Sequence, residues 1–191
     1  MKNPVILPTA TTCCGATIKG WVEVAISPGI GIHMVGLADA AVKETLLRVV
    51  TALQANGYHL PGKRIVINIT RERGVDRRKH GDAQGWFDFP IALGILLASG
   101  QIDASDKELG NTIFVGELAL DGKLRAPSSN GGFVSGTDAA RAVSWKYRDE
   151  RTCWGWDTDC KGGKTWLDVK DLADAVELLK STLEDEKEEE A

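Results

Sequence analysis

The segment Gly-Trp-Phe-Asp-Phe-Pro-Ile-Ala-Leu-Gly-Ile-Leu-Leu-Ala-Ser-Gly-Gln, residues 85–101, contains an almost unbroken run of apolar residues. Asp88 and Pro90 belong to residue types favoured where a helix begins, and Gly100 is typical of the position where one ends. A helix that is apolar on nearly all sides must be buried. The segment therefore predicts that residues 88–99 form the central helix of the core.

Asp88 is the one carboxylate in this apolar segment. An aspartate is a good N-cap, and the positive end of the helix dipole stabilises a charged carboxylate and lowers its pKa. These properties suit capping better than acid catalysis. We therefore expect Asp88 to be the N-cap of the central helix, and Asp88→Ala to cost about 0.5–2 kcal/mol of stability.

The rest of the chain shows strand and helix patterns in turn. Residues 16–26 and 30–35 read as strands joined at Ser27-Pro28-Gly29, which predicts a hairpin. The other predicted elements are helix 39–56, strand 64–69, strand 112–118, the tight turn Asp121-Gly122 into strand 123–126, helix 137–145 and helix 169–183. This order predicts an α+β fold, a two-layer α/β sandwich whose mixed sheet carries helices on one face.

The domain organisation follows from the ends of these patterns. Residues 1–15 lack periodicity and are predicted to form a flexible arm, and residues 16–183 to form the α/β domain, without an assignment for 146–165. Residues 184–191 hold six acidic residues and one lysine, a net charge of −5, so the body carries +1 of the total of −4. Such an acidic tail is typically disordered.

Composition favours a cytoplasmic globular protein, with 43% hydrophobic and 26% charged residues. No apolar run reaches the roughly 18 residues of a membrane span, and the start of the chain is too short and proline-broken for a signal peptide. The cysteines lack the spacing of a zinc site, so reduced thiols and no metal are expected. They are Cys13, Cys14, Cys153 and Cys160.

Three common motifs are incomplete. Gly163-Lys164-Thr165 lacks the first glycine of a phosphate loop, because Thr158 stands there, and the Gly29-Ile30-Gly31 segment lacks the third glycine of a dinucleotide fingerprint. No Gly-x-Ser-x-Gly elbow is present. Ser99 lies at the far end of the central helix, where a capping role is favoured, although a buried Ser/Lys pair stays open as an alternative.

A basic loop precedes the central helix. Its cations outnumber Glu72 and Asp76, and such a cluster can neutralise phosphates, but no interleaved aromatic residues offer a stacking platform. A solvated loop and a nucleic-acid contact are both compatible with this pattern. The candidate nucleic-acid-binding residues are Arg71, Arg73, Arg77, Arg78 and Lys79.

Five segments together resemble the ComM/YifB family of magnesium-chelatase-like AAA+ ATPases. In chain order they are Gly-Leu-Ala-Asp-Ala-Ala-Val-Lys-Glu at 36–44, Ala-Leu-x-x-Asn-Gly-Tyr at 52–58, Pro-Gly-Lys-Arg-Ile-x-Ile-Asn at 61–68, the segment 87–101, and Val-Gly-Glu-Leu-x-Leu-Asp-Gly-Lys-Leu at 115–124. The resemblance is to the family's N-terminal domain. It implies a Lon protease domain-like fold, shared with the second domain of a small-subunit ribosomal protein.

The same resemblance implies a lost protease site. Asp88 occupies the position of the Lon-fold nucleophile, and no lysine lies between Lys123 and Lys146 to act as its base. A carboxylate is a poor nucleophile toward amides, so protease activity is not expected. The Trp-rich stretch 145–166 departs from the family pattern.

The resemblance implies the non-catalytic N-terminal domain of a ComM/YifB-type ATPase linked to DNA processing in natural transformation, serving assembly or DNA contact. The expected partners are an AAA+ ATPase module or further copies of the chain, with DNA as another and no membrane. No cofactor is expected in this chain, since ATP and Mg²⁺ belong to the ATPase module. The alternatives are a standalone nucleic-acid-binding module and a degenerate Lon-type hydrolase using Asp88.

Overall fold

The computed structural model describes residues 3–13, 16–72, 85–127, 152–155 and 166–189. Its helices are α1 (Asp39–Ala55), α2 (Asp88–Ser99), α3 (Asp106–Asn111) and α4 (Leu172–Glu189). Its strands are β1 (Val5–Cys13), β2 (Ala16–Ser27), β3 (Gly31–Val35), β4 (Arg64–Arg71), β5 (Thr112–Phe114), β6 (Glu117–Leu118), β7 (Leu124–Arg125), β8 (Thr152–Gly155) and β9 (Trp166–Asp168). The predicted helix 137–145 lies outside the described residues.

A four-stranded mixed sheet forms one layer, in the order β1-β2-β4-β3. Strand β2 runs antiparallel to β1 and β4, whereas β3 runs parallel to β4. Alternate residues of β2 and β4 point toward the helices and are buried, because successive strand residues face opposite sides of a sheet. These inner residues include Val22, Val24, Ile65, Ile67 and Ile69.

Helix α2 lies on the inner face of this sheet, against β1 and β2, and α1 packs beside it. Its residues from Asp88 to Leu96 are all buried, as the apolar sequence predicts. The helix ends at Gly100, whose φ of 73° is the left-handed conformation that glycine adopts most readily. The predicted buried central helix and the mixed sheet with helices are confirmed.

Smaller sheets complete the described structure. Strands β5, β8 and β9 pair in parallel in that order, and β6 pairs antiparallel with β7 across the predicted turn at Asp121-Gly122. The predicted single strand over 112–118 is divided into β5 and β6, because Gly116 has a φ of 149° between them. None of the described helices has the length and apolar character needed to cross a membrane.

The start of the chain differs from the prediction of a flexible arm over residues 1–15. Strand β1 pairs along its whole length with β2, so the prediction is wrong for Val5–Cys13. Leu7, Thr9 and Thr11 are buried on one face of β1, and Ala10 is buried on the other. From residue 7 to residue 11 both faces of the strand are covered, so this part lacks the alternation of apolar and polar residues that would have identified it.

Two further predictions are wrong. The expected hairpin between residues 16–26 and 30–35 does not form, because β1 and β4 occupy both edges of β2 and β3 pairs with the far edge of β4. Local apolar patterns identify strands without identifying their neighbours. The acidic segment 184–191 was expected to be disordered, and this is wrong for residues 184–189, because α4 continues through Glu189, while residues 190 and 191 lie outside the described residues.

Gly94 marks the closest approach between α2 and the sheet. A Cβ atom at this position would lie 2.6 Å from Cγ2 of the buried Val24. Interiors packed this closely accept an added methyl group only if a neighbour moves. The absence of a side chain at Gly94 therefore sets the distance between the two layers.

Gly94→Ala is expected to lower the free energy of unfolding by about 1–2 kcal/mol, because overpacking outweighs the roughly 1 kcal/mol gain in helix propensity. Urea denaturation measures the change. Gly110→Ala, in α3, is the matched control, since its Cβ would meet nothing within 4 Å. The control should be neutral or stabilising, and a Gly94→Ala protein as stable as this control would contradict the packing argument.

Candidate functional site

A tight turn places Asp88 at the start of α2. Gly85 has a φ of 83°, and a Cβ there would lie 2.3 Å from Oε2 of Glu117, so this position requires glycine. The turn is fixed to the next segment because the Phe89 N–H donates to the Gly116 carbonyl over 3.1 Å. The sequence thereby brings Asp88 between α1 and β6, where it is fully buried.

The Asp88 carboxylate accepts hydrogen bonds from two other elements. Arg48 of α1 donates through Nε to Oδ2 over 2.5 Å and through Nη2 to Oδ1 over 3.2 Å. The Leu118 N–H of β6 donates to Oδ2 over 3.3 Å. Two parallel guanidinium–carboxylate bonds are the strongest form of such a contact. Asp88 therefore links α1, α2 and β6.

The N-cap role predicted for Asp88 is wrong. The N-cap residue is Phe87, whose side chain makes no capping hydrogen bond, and Asp88 is the first residue of the helix. Its carboxylate points sideways to Arg48 and Leu118 rather than back over the first turn. The half-buried Arg48 guanidinium, rather than the helix N–H groups, satisfies the Asp88 carboxylate.

Burial raises the pKa of Asp88 to about 6, against the opposing effects of Arg48 and the Leu118 N–H, while the nearby Glu117 charge adds to the rise. This is opposite to the depression expected from the helix dipole, because desolvation disfavours the charged form. Burial alone would lower the pKa of Arg48, but the hydrogen bond and the negative charge of Asp88 raise the pKa of Arg48 above its ordinary value. The pair is therefore ionised at neutral pH.

A surface cavity of about 410 Å³ lies beside this pair. It presents two guanidinium groups and two carboxylates, and Asp88 itself lies behind Arg48 outside the lining. Neither serine nor lysine is among the described residues that line this cavity, so the described part of its wall offers no Ser/Lys pair. The lining residues are Arg48, Glu117, Leu118, Ala119, Leu120, Asp121 and Arg125.

A larger cavity of about 800 Å³ lies at the opposite end of α2, where Ser99 and Lys63 both contribute to the wall. The Ser99 hydroxyl donates to the Leu96 carbonyl over 3.0 Å and accepts a bond from Gln101 Nε2 over 2.8 Å. These bonds are those of a serine that closes a helix end, which was the favoured expectation for Ser99. Its proton is committed to the backbone.

The basic loop is described only at its first residue. Arg71 ends β4, and its guanidinium lies over the Phe87 ring, 5.4 Å from the ring centre. This cation–π contact ties Arg71 to the turn before α2. The other four candidate nucleic-acid-binding residues lie outside the described residues; they are Arg73, Arg77, Arg78 and Lys79.

Sequence reasoning missed Arg48 and Glu117 as members of this site. The buried positions of α1 include Thr45, Val49 and Ala52. Arg48 follows Thr45 by three residues and precedes Ala52 by four, so it shares their helical face. A cation on a buried helix face needs a partner, and this was the available signal.

Asp88→Asn tests the raised pKa. The folded-state pKa of about 6 exceeds the reference value of 3.8, so the folded protein holds the proton where the unfolded chain has lost it. The stability of the wild type relative to the variant should be highest below about pH 4 and fall by roughly 3 kcal/mol as the pH rises to 7. Urea unfolding from pH 4 to 7 measures this difference; a rise with pH would mean that Arg48 dominates.

Arg48→Met should destabilise the protein by about 3–5 kcal/mol at pH 8, because Asp88 is then a buried charge without its partner. The loss should be smaller at pH 5, where Asp88 is protonated. Arg125→Met is the matched control, since Arg125 is exposed on the rim of the same cavity, and it should change stability by less than about 0.5 kcal/mol. Equal losses in the two variants would show that the buried pair adds nothing.

Comparison with known proteins finds a matching family and several relatives. Residues 22–135 match the protein family described as subunit ChlI of Mg-chelatase. The chain is 43% identical over 122 residues to the uncharacterized protein YifB of Salmonella typhimurium (strain LT2), covering 63% of this chain and 22% of YifB. It is 46% identical over 105 residues to the competence protein ComM of Haemophilus influenzae, covering 54% of this chain and 19% of ComM.

The chain spans about a fifth of the length of these curated relatives. The matched region contains Arg48, Asp88 and Glu117, so the buried pair and its cavity lie inside the family domain. That region also covers more than half of the chain. The chain therefore belongs to the magnesium-chelatase ChlI-subunit family.

Proposed function

We propose that this chain is a non-catalytic domain of a ComM/YifB-type magnesium-chelatase-like ATPase, and that it serves the assembly of that ATPase. The observation that carries the proposal is the enclosure of Asp88. Both carboxylate oxygens accept hydrogen bonds, and the side chain is 0% exposed. A carboxylate held in this way can fix three elements but cannot reach a substrate.

The resemblance to a Lon protease domain assigns Asp88 to the nucleophile position. Nucleophilic catalysis requires an accessible nucleophile within hydrogen-bond reach of a base. Here the only side-chain partner of Asp88 within the described structure is Arg48, which stays protonated and cannot accept a proton. The position thus supports a structural role in place of hydrolysis.

We place ATP and Mg²⁺ in the remaining part of a full-length protein of this family. The partial phosphate motif at 163–165 lacks its first glycine. In the described ranges, no three His, Cys, Asp or Glu side chains come together as a metal site needs. The proposal therefore assigns ATP and Mg²⁺ to the ATPase portion and requires neither of them in this domain.

The name competence protein, given to the Haemophilus relative, motivates a link to DNA taken up by cells. In this proposal the ATPase performs the work on DNA, and the present domain supports its assembly through contacts with the ATPase portion or with further copies of itself. The link to natural transformation belongs to the proposal and applies to the assembled protein.

The non-catalytic role predicts no turnover of casein or of fluorogenic peptides by the purified chain above the rate of a buffer blank. Asp88→Ala and Asp88→Ser are assayed beside the wild type, with folding checked by circular dichroism. Peptide turnover by the wild type that Asp88→Ala abolishes would overturn the proposal. It would favour the degenerate hydrolase instead.

Nucleic-acid contact is the second candidate function, and the basic loop favours it. In the sequence the loop connects the end of β4 to the turn before α2. Arg71 packs on Phe87, which leaves Arg73, Arg77, Arg78 and Lys79 as the residues to test. Contacts between these cations and phosphates would release counterions and make affinity dependent on salt.

Changing those four residues to Ala should weaken binding to single- and double-stranded DNA and reduce the salt slope of log K by up to about 3–4, as expected for four phosphate contacts. Fluorescence anisotropy at 50–200 mM salt measures the affinity for DNA and its salt dependence. The matched control loses the same amount of positive charge elsewhere in the chain. It changes four lysines to Ala: Lys43, Lys63, Lys107 and Lys180. Equal effects of the two variants would remove the loop from consideration.

A further inference from the structure

The face of the four-stranded sheet that points away from α1 and α2 carries a continuous row of side chains. Ile6 lies opposite Glu23, Glu23 opposite Asn68, and Asn68 opposite Val35, so the row crosses all four strands. Trp21 lies two residues from Glu23 on the same face. We call these five residues the outer sheet face.

Large apolar side chains remain accessible on the outer sheet face. Ile6 is 51% exposed, Trp21 37% and Val35 55%. On the inner face the neighbouring Val22, by contrast, is fully buried. Ile6 and Trp21 lie diagonally on the neighbouring strands β1 and β2, whereas Val35 lies at the far edge, beyond Glu23 and Asn68. Exposed apolar groups on one surface are typical of a protein interaction site, and tryptophan is enriched among binding hot spots.

One acidic group, Glu23, lies at the centre of the outer sheet face. Asn68 Nδ2 donates to Glu23 Oε2 over 3.2 Å, which fixes the carboxylate within the sheet. The other oxygen, Oε1, accepts no hydrogen bond from the described parts of the chain. A partner that covers the row must therefore offer a cation or a donor to Glu23, since a buried unpaired carboxylate is costly.

The dimensions of the row favour a single helix over a second sheet. Four strands about 4.8 Å apart give a row about 14 Å wide, and an α-helix with its side chains is about 10–12 Å across. The β3–β4 pair at one edge is parallel, an arrangement found mainly where helices cover both faces, whereas the antiparallel pairs β1–β2 and β2–β4 are compatible with either a covered or a solvated face. On the inner face α1 and α2 already supply one such layer.

A second copy of the chain fits this surface poorly. A two-fold axis through the centre of the row would bring two Glu23 carboxylates together, which is unfavourable for self-association. A helix from elsewhere in the full-length protein avoids this repulsion. The family relatives extend far beyond the matched region and can supply one.

We infer that the outer sheet face binds an amphipathic helix, with a Lys or Arg beside its apolar stripe, from the ATPase portion of the full-length protein. This inference rests on the proposed assembly function and specifies the surface that performs it. The apolar stripe of the helix would cover Ile6, Trp21 and Val35, and its cation would pair with Glu23 Oε1.

The test measures the dissociation constant between the purified chain and Salmonella YifB lacking its matched segment, by isothermal titration calorimetry. Trp21→Ser and Glu23→Lys should each weaken binding at least tenfold. Glu23→Gln keeps the hydrogen bond with Asn68 but loses the negative charge. Its affinity should be several-fold lower than that of the wild type at low salt, and this difference should vanish at high salt. Leu47→Ser and Glu177→Lys, at exposed positions on α1 and α4, are matched controls and should stay within twofold.

The outcomes separate the two proposals. Binding by the wild type that the outer-face variants leave unchanged would overturn this surface while preserving the assembly function. No binding by the wild type would overturn the inferred helix, and it would overturn the assembly function as well if light scattering also finds only monomer. Light scattering on the chain alone gives the third outcome. A dimer that dissociates in the Trp21→Ser variant would identify a second copy of the chain as the occupant of the outer sheet face, and would overturn the inference of a helix. Circular dichroism melting verifies that each variant is folded.

Discussion

The ion pair between Arg48 and Asp88 joins three elements that are far apart in the chain. Arg48 comes from the middle of α1, Asp88 begins α2, and the Leu118 N–H of β6 donates to the same carboxylate. A carboxylate removed from water, as Asp88 is, is stable only while its partner and its hydrogen bonds stay in place. The position of α2 on the sheet therefore depends on α1 and β6 together.

Around this pair the protein combines close packing with fixed charge. Gly94 allows α2 to approach Val24, and Gly85 allows the preceding turn to lie on Glu117. Both contacts hold Asp88 in a place where burial raises its pKa, and Arg48 separates it from the neighbouring cavity. The position that the Lon-type resemblance assigns to a nucleophile is thus occupied by a structural ion pair, which agrees with an assembly role.

Local sequence signals predicted elements better than their arrangement. The apolar run at 88–99 gave the buried helix, and Asp121-Gly122 gave the turn between β6 and β7. Strand β1 was missed because burial of both faces removes the period-two pattern. Strand β3 was found, but its parallel pairing with β4 depends on which edges of the sheet are already occupied. Arg48 was missed because its partner lies 40 residues away.

The sequence by itself determined the family, the mixed α/β class and the central helix, since motifs, composition and residue periodicity are local properties of the chain. Only the tertiary structure decided the role of Asp88. Whether a carboxylate caps a helix or pairs with a guanidinium depends on what lies beside it, and its pKa depends on how completely water is excluded. Both quantities are set by non-local packing, which residue spacing does not specify.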